Sequence, residues 1–83
     1  MTKDIVILSA ARTAIGTFGG SLSGIAPCDL ATTIATEAIA RSGLEGAAIG
    51  QTVMGNVIHT EPRDMYLSRV AAVGAGVPET SPA

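Results

Sequence analysis

An α/β layer in the order strand, helix, strand, helix, with parallel strands, is the fold class this sequence predicts. Three observations carry it. Ile5-Val6-Ile7-Leu8 is an unbroken apolar run between Asp4 and Ser9, too short for a helix and without the alternation of a half-wet strand, so it reads as a strand buried on both faces. Leu30, Ala31, Ile34, Ala35, Ala38 and Ile39 recur at helical spacing. Thr52-Val53-Met54-Gly55-Asn56-Val57-Ile58 is a second β-prone run, and strand-helix-strand in that order makes a right-handed parallel crossover the default.

Each element follows from its residues. Ala10 to Ile25 holds Gly16, Gly19, Gly20 and Gly24 among Thr and Ser, which predicts a long loop. The first helix begins near Pro27, whose fixed φ suits a first helical position, with Asp29 favoured in the first turn by the helix dipole. Thr32, Thr36 and Arg41 are expected to face away from the apolar stripe, and Gly43 to cap the C-terminus. Glu37 and Arg41 form an i,i+4 pair of the favourable orientation. The second helix begins near Pro62, carries Asp64 early and runs through Met65, Leu67, Val70, Ala71 and Val73 toward Gly74-Ala75-Gly76, with Val77-Pro78 ending it.

Composition narrows the function. Only 2% of the 83 residues are aromatic, Phe18 and Tyr66, so small aliphatic residues and glycine fill the core and there is no stacking platform for single-stranded nucleic acid. A net charge of −2 with scattered basic residues argues against phosphate tracking, so nucleic acid is not an expected partner. Cys28 is the single cysteine, which excludes an internal disulfide and a Cys-rich zinc site. The apolar run after Met1-Thr2-Lys3-Asp4 is too short for a signal-peptide core or a membrane span, so the chain reads as cytoplasmic, with no membrane partner. Two parallel strands and two helices cannot cover both sheet faces, so the chain reads as part of a larger α/β layer.

The stretch Asp4-Ile5-Val6-Ile7-Leu8-Ser9-Ala10-Ala11-Arg12-Thr13-Ala14-Ile15-Gly16-Thr17-Phe18-Gly19-Gly20-Ser21-Leu22 resembles the opening of thiolases: a strand, then S-A-x-R-T, then G-x-F-G-G-x-L. Val53-Met54-Gly55-Asn56-Val57 is similar to the family's second strand and Ser68-Arg69-Val70-Ala71-Ala72 to its second helix. Glu61-Pro62-Arg63-Asp64-Met65-Tyr66-Leu67 resembles a bacterial β-ketothiolase branch rather than the commoner G-Q-N-P-A-R version. The resemblance implies a partial thiolase-like layered fold, with residues 1–83 as the N-terminal part of the family's N-terminal domain. It implies acyl transfer between CoA thioesters through a cysteine-bound intermediate, with acyl-CoA and CoA as partners of the full-length protein, in a homodimer or homotetramer.

The family's acyl-accepting cysteine lies in an N-R/K-x-C-G-S-G stretch shortly after the segment matching Thr80-Ser81-Pro82-Ala83, and its second cysteine and catalytic histidine come later still. The expectation is therefore that this segment holds no catalytic, cofactor-binding or metal-binding residue and is inactive alone. The alternatives are a condensing enzyme of the ketoacyl-synthase kind, or a non-catalytic interaction or assembly module.

Cys28 sits near a helix N-terminus, where a thiolate is activated, but no base adjoins it in sequence, so it is expected to be a half-buried packing thiol. His59 is the one histidine and follows the second strand; with Glu61 and Asp64 it completes no recognisable ligand set and reads as a surface residue. Gly16-Thr17-Phe18-Gly19-Gly20 lacks phosphate-loop spacing and stands well ahead of the helix, so its glycines read as turn formers. Arg12 and Arg69 are expected in ion pairs rather than on a CoA phosphate. Met65 and Tyr66 are expected to pack in the core, with a share in an acyl pocket or subunit interface as the alternative, since Met adapts to varied ligands and Tyr has a polar tip.

Overall fold

The computed structural model describes residues 3–83. Helix α1 spans Pro27–Ser42 and helix α2 spans Leu67–Gly74, with 3₁₀ turns at Gly46–Ala48 and Pro62–Tyr66. Pro27 occupies the first turn and Asp29 follows it, as the sequence predicts. Gly43 ends α1 with φ 77°, a left-handed geometry that a side chain would strain. The three threonines inside α1 return their hydroxyls to the helix backbone: Thr32 to the Cys28 carbonyl at 2.8 Å, Thr33 to Asp29 at 2.9 Å and Thr36 to Thr32 at 2.7 Å.

The second helix is a composite. Pro62–Tyr66 winds as a 3₁₀ turn before the α-helical part begins at Leu67. It closes with Val77 N–H on the Ala72 carbonyl at 2.9 Å and Gly76 N–H on the Val73 carbonyl at 3.1 Å. Together these bonds form a Schellman motif, whose apolar partner Val77 is buried. Helices α1 and α2 pack on each other, and the fully enclosed apolar residues are Cys28, Ala71, Ala72 and Val77. The core is therefore made of small side chains, and backbones approach closely. Thr32, expected to face away, lies against Gly74, where an added Cβ would stand 2.8 Å from its Cγ2. Helix α2 claims that face, because a glycine opposite leaves room for a Thr methyl. Gly46 meets the chain leaving α2: a Cβ there would be 2.3 Å from the Gly76 carbonyl oxygen.

Both strand expectations require correction. Neither Ile5–Leu8 nor Thr52–Ile58 forms a strand, and among the described residues there is no β ladder. A strand exists only when its amides and carbonyls pair with a neighbour, and among the described residues no such ladder forms: the bonds made at and beside these segments go to α1 and to the chain end instead. Ser9 donates to the Ala38 carbonyl of α1 at 2.7 Å, Thr52 N–H donates to the Pro82 carbonyl at 3.0 Å, and Ser81 donates to the Ile49 carbonyl at 2.8 Å. Ile5 is 97% exposed and Ile7 90% exposed, so the run is bare rather than buried on both faces. The α1 stripe is correspondingly only half-buried. The radius of gyration is 14.0 Å, and the extents are 50 × 24 × 20 Å. A compact chain of this length would have a radius of about 12 Å, so the molecule is drawn out.

Candidate functional site

The most enclosed polar arrangement joins the start of α1 to the turn before α2. Cys28, in the first turn of α1, is completely buried rather than half-buried, and its thiol donates to Asp64 Oδ1 at 3.6 Å. Asp64 is 1% exposed, yet none of its acceptor capacity is wasted. Its Oδ2 accepts from Thr60 N–H at 2.8 Å, the Thr60 hydroxyl at 2.5 Å and Glu61 N–H at 3.3 Å. Asp64 N–H in turn donates to the Glu61 carbonyl at 3.0 Å, and the side chains of Glu61 and Asp64 each accept from the other's backbone N–H, a reciprocal capping box. This is how a carboxylate is tolerated among apolar residues: every oxygen is supplied with donors.

The protonation of the pair follows from those contacts. The Thr60 hydroxyl and then its N–H hold the Asp64 carboxyl below the ordinary aspartate value of 3.8, against the opposing effect of burial. Burial pushes the Cys28 thiol up from its ordinary 9.0, and the hydrogen bond to Asp64 adds to this. An activated cysteine nucleophile is shifted the other way. Cys28, Glu61 and Asp64 do place one ligand atom each within 4.8 Å of one another. Both Asp64 oxygens are engaged and the thiol is favoured in its protonated form, so hydrogen bonds within the chain join Cys28 to the turn as a knot. Arg63 lies outside it, 3.0 Å from Glu61 and 3.8 Å from Asp29, an exposed tie between the turn and α1.

Above the knot lies a cleft of ≈ 280 Å³ whose lining includes Asn56, His59, Met65, Tyr66 and Arg69. Here the structure brings together residues that the sequence analysis singled out separately. Met65 and Tyr66 are 63% and 69% exposed at its edge, so the expectation that they pack in the core is corrected: the small residues of α1 and α2 close the core without them. His59 is exposed, with Nδ1 3.1 Å from Asn56 Nδ2, and Asn56 Nδ2 also donates to the Asp64 carbonyl at 3.4 Å. Arg69, expected in an ion pair, instead donates to the Glu79 carbonyl at 3.2 Å. Arg12 stands apart and bonds the carbonyl of its neighbour Thr13 at 3.3 Å. The glycines around Phe18 form turns, with Gly20 N–H on the Thr17 carbonyl at 2.9 Å, and α1 starts only at Pro27, so they form no phosphate cradle at a helix end.

Sequence reasoning placed Asp64 near a helix start but missed its burial and its role as the node of the site. The signal was an acid three residues after a capping position, Glu61-Pro62-Arg63-Asp64, which is the spacing of reciprocal capping.

A helix pair closed around small residues, with an ordered turn and a bare apolar flank, is the architecture of the described residues. The description "Thiolase, N-terminal domain" belongs to the family model that matches residues 5–83. The chain belongs to the thiolase family. It is similar to the "Beta-ketothiolase BktB" of Cupriavidus necator, 55% identical over 83 residues that cover 100% of this chain and 21% of that protein. An "Acetyl-CoA acetyltransferase" of Clostridioides difficile is 38% identical over 98% of this chain and 75% of that protein. The "Acetyl-CoA acetyltransferase, cytosolic" of Rattus norvegicus is 39% identical over 99% of this chain and 20% of that protein. The chain thus spans about a fifth of the length of the β-ketothiolase and of the rat enzyme. No helix among the described residues is long and apolar enough to cross a membrane.

Proposed function

We propose that this chain is the N-terminal part of the thiolase N-terminal domain and serves acyl transfer between CoA thioesters, by thiolysis of a β-ketoacyl-CoA or condensation of acetyl-CoA. The observation that carries this reading is the match of the whole chain, at 55% identity, to a protein named β-ketothiolase. Within it, residues 1–83 act as scaffold. The nucleophilic cysteine and its histidine partner lie in the remainder of the enzyme, and Cys28 does not substitute for them, because its thiol is buried and shifted toward the protonated form. Acyl-CoA and CoA are the partners of the complete enzyme, which acts as a cytoplasmic homodimer or homotetramer. Met65 and Tyr66 contribute to the acyl pocket or to a subunit boundary.

The layered β-α-β-α order belongs to the same proposal. Ile5–Leu8 and Thr52–Ile58 become parallel strands once neighbouring strands supply their ladder and further helices cover the sheet. The bare isoleucines and the half-buried α1 stripe support this, since apolar surface of that extent is unfavourable in water.

The test is a chimera in which residues 1–83 replace the 83 aligned residues of the Cupriavidus β-ketothiolase. The chimera is expected to cleave acetoacetyl-CoA in the presence of CoA, while the 83-residue chain alone gives no turnover. An inert but folded chimera overturns the acyl-transfer reading, and cysteine-dependent turnover by the isolated chain overturns the scaffold role. Hydrogen exchange tests the fold in the same pair: amides 53–58 are expected to be protected in the chimera and open in the isolated chain.

A further inference from the structure

Among the residues lining the cleft, Asp64 is the buried one. In a 3₁₀ turn successive side chains are about 120° apart, so the direction of one sets the direction of the next two. Asp64 points inward, locked from both sides: Oδ1 takes the Cys28 thiol of α1, and Oδ2 takes Thr60 and the Glu61 N–H. With Asp64 inward, Met65 and Tyr66 must fan outward, and both are exposed at the cleft edge. The opposite wall depends on the same residue. The Asp64 carbonyl accepts Asn56 Nδ2, which fixes the orientation of that amide, since the reversed amide would set oxygen against oxygen. With Nδ2 donating, His59 Nδ1 accepts and the ring hydrogen sits on Nε2.

We propose that Asp64 is a positioning residue that sets acyl-chain selectivity by holding Met65 and Tyr66 on one wall of the cleft and Asn56 and His59 on the other. The inference rests on the acyl-transfer reading above and adds to it the class of discrimination, chain length, because the mobile parts of the walls are an unbranched thioether and an aromatic ring. Cys28 enters only as the anchor that ties this turn to α1, through a hydrogen bond that a serine hydroxyl also makes.

The experiment uses the chimera and reads the ratio of kcat/KM for a four-carbon and an eight-carbon 3-ketoacyl-CoA, with thermal melting alongside. Asp64→Ala is expected to move that ratio by about tenfold, the scale at which pockets discriminate methylenes. Cys28→Ala is expected to move it by about threefold, having lost one anchor of four. Cys28→Ser keeps a donor and is expected to restore the parent ratio even where the melting temperature stays lowered. A purely structural role lowers the melting temperature and scales both substrates down together, and that result overturns the proposal. Should Asp64→Ala fail to fold, Cys28→Ala decides, because it leaves the Thr60 and Glu61 bonds in place; an unmoved ratio there overturns the proposal equally. If the unsubstituted chimera turns over neither substrate, the acyl-transfer reading fails and takes this inference with it. If it turns over both and the variants keep its ratio, this inference alone falls.

Discussion

The knot around Asp64 and the segment Ile5–Leu8 make opposite use of their residues. The knot buries a carboxylate and a thiol, normally costly, and each donor there finds an acceptor within the chain. The segment exposes four aliphatic side chains, normally unfavourable, and finds no partner strand among the described residues. The difference is one of sequence separation and reach. Thr60, Glu61 and Asp64 satisfy one another across a single turn, and Cys28 is delivered by a helix that packs on α2. A parallel strand can be satisfied only by a neighbour that a long crossover brings alongside. Local polar closure is therefore made within this chain, whereas no sheet is closed among the described residues.

Substitutions in the chimera can break that contrast. The largest effect is expected from Ile7→Lys: if the strand is completed there, a charge replaces a buried isoleucine and stability falls by about 4 kcal/mol or more. Chemical denaturation measures it, and a change within about 0.5 kcal/mol would leave Ile7 on a solvated face and remove the contrast. Gly46→Ala comes next, at about 2 kcal/mol, because the new Cβ meets the Gly76 carbonyl at 2.3 Å and backbone must move. A neutral effect would mean that the chain leaving α2 is free to shift.

The knot has a pH signature whose sign follows from its contacts. A carboxyl held below 3.8 when folded makes its stabilising contribution in full above that value and loses it as pH falls toward the lower folded value. The melting temperature of the chimera should thus fall more steeply below pH 4 than that of its Asp64→Asn variant, which has no such group to protonate. Parallel curves would show that Asp64 is not the aspartate that the knot stabilises. The smallest effect is expected at Glu37→Gln, which removes the exposed 2.8 Å pair with Arg41 and costs about 0.3 kcal/mol, a fraction that vanishes in high salt.

What the sequence by itself determined is local. The start of α1 at Pro27, its left-handed cap at Gly43, the turn-rich loop through Gly20 and the end of α2 before Pro78 all follow from backbone preferences that act over a few residues. The thiolase resemblance was legible for the same reason, since its motifs are short runs that do not depend on packing. The tertiary structure decided the rest. Thr32 turned toward α2 because Gly74 left a space there, and Cys28 became wholly buried because a residue 36 positions away supplied its hydrogen-bond partner. Met65 and Tyr66 came to edge a cleft while Asp64, one and two positions before them, lies buried. Periodicity names the apolar residues of Ile5–Leu8 and Thr52–Ile58, but the ladder that would make them strands is a relation between distant chain segments, and hydrophobic pattern alone does not supply the partner.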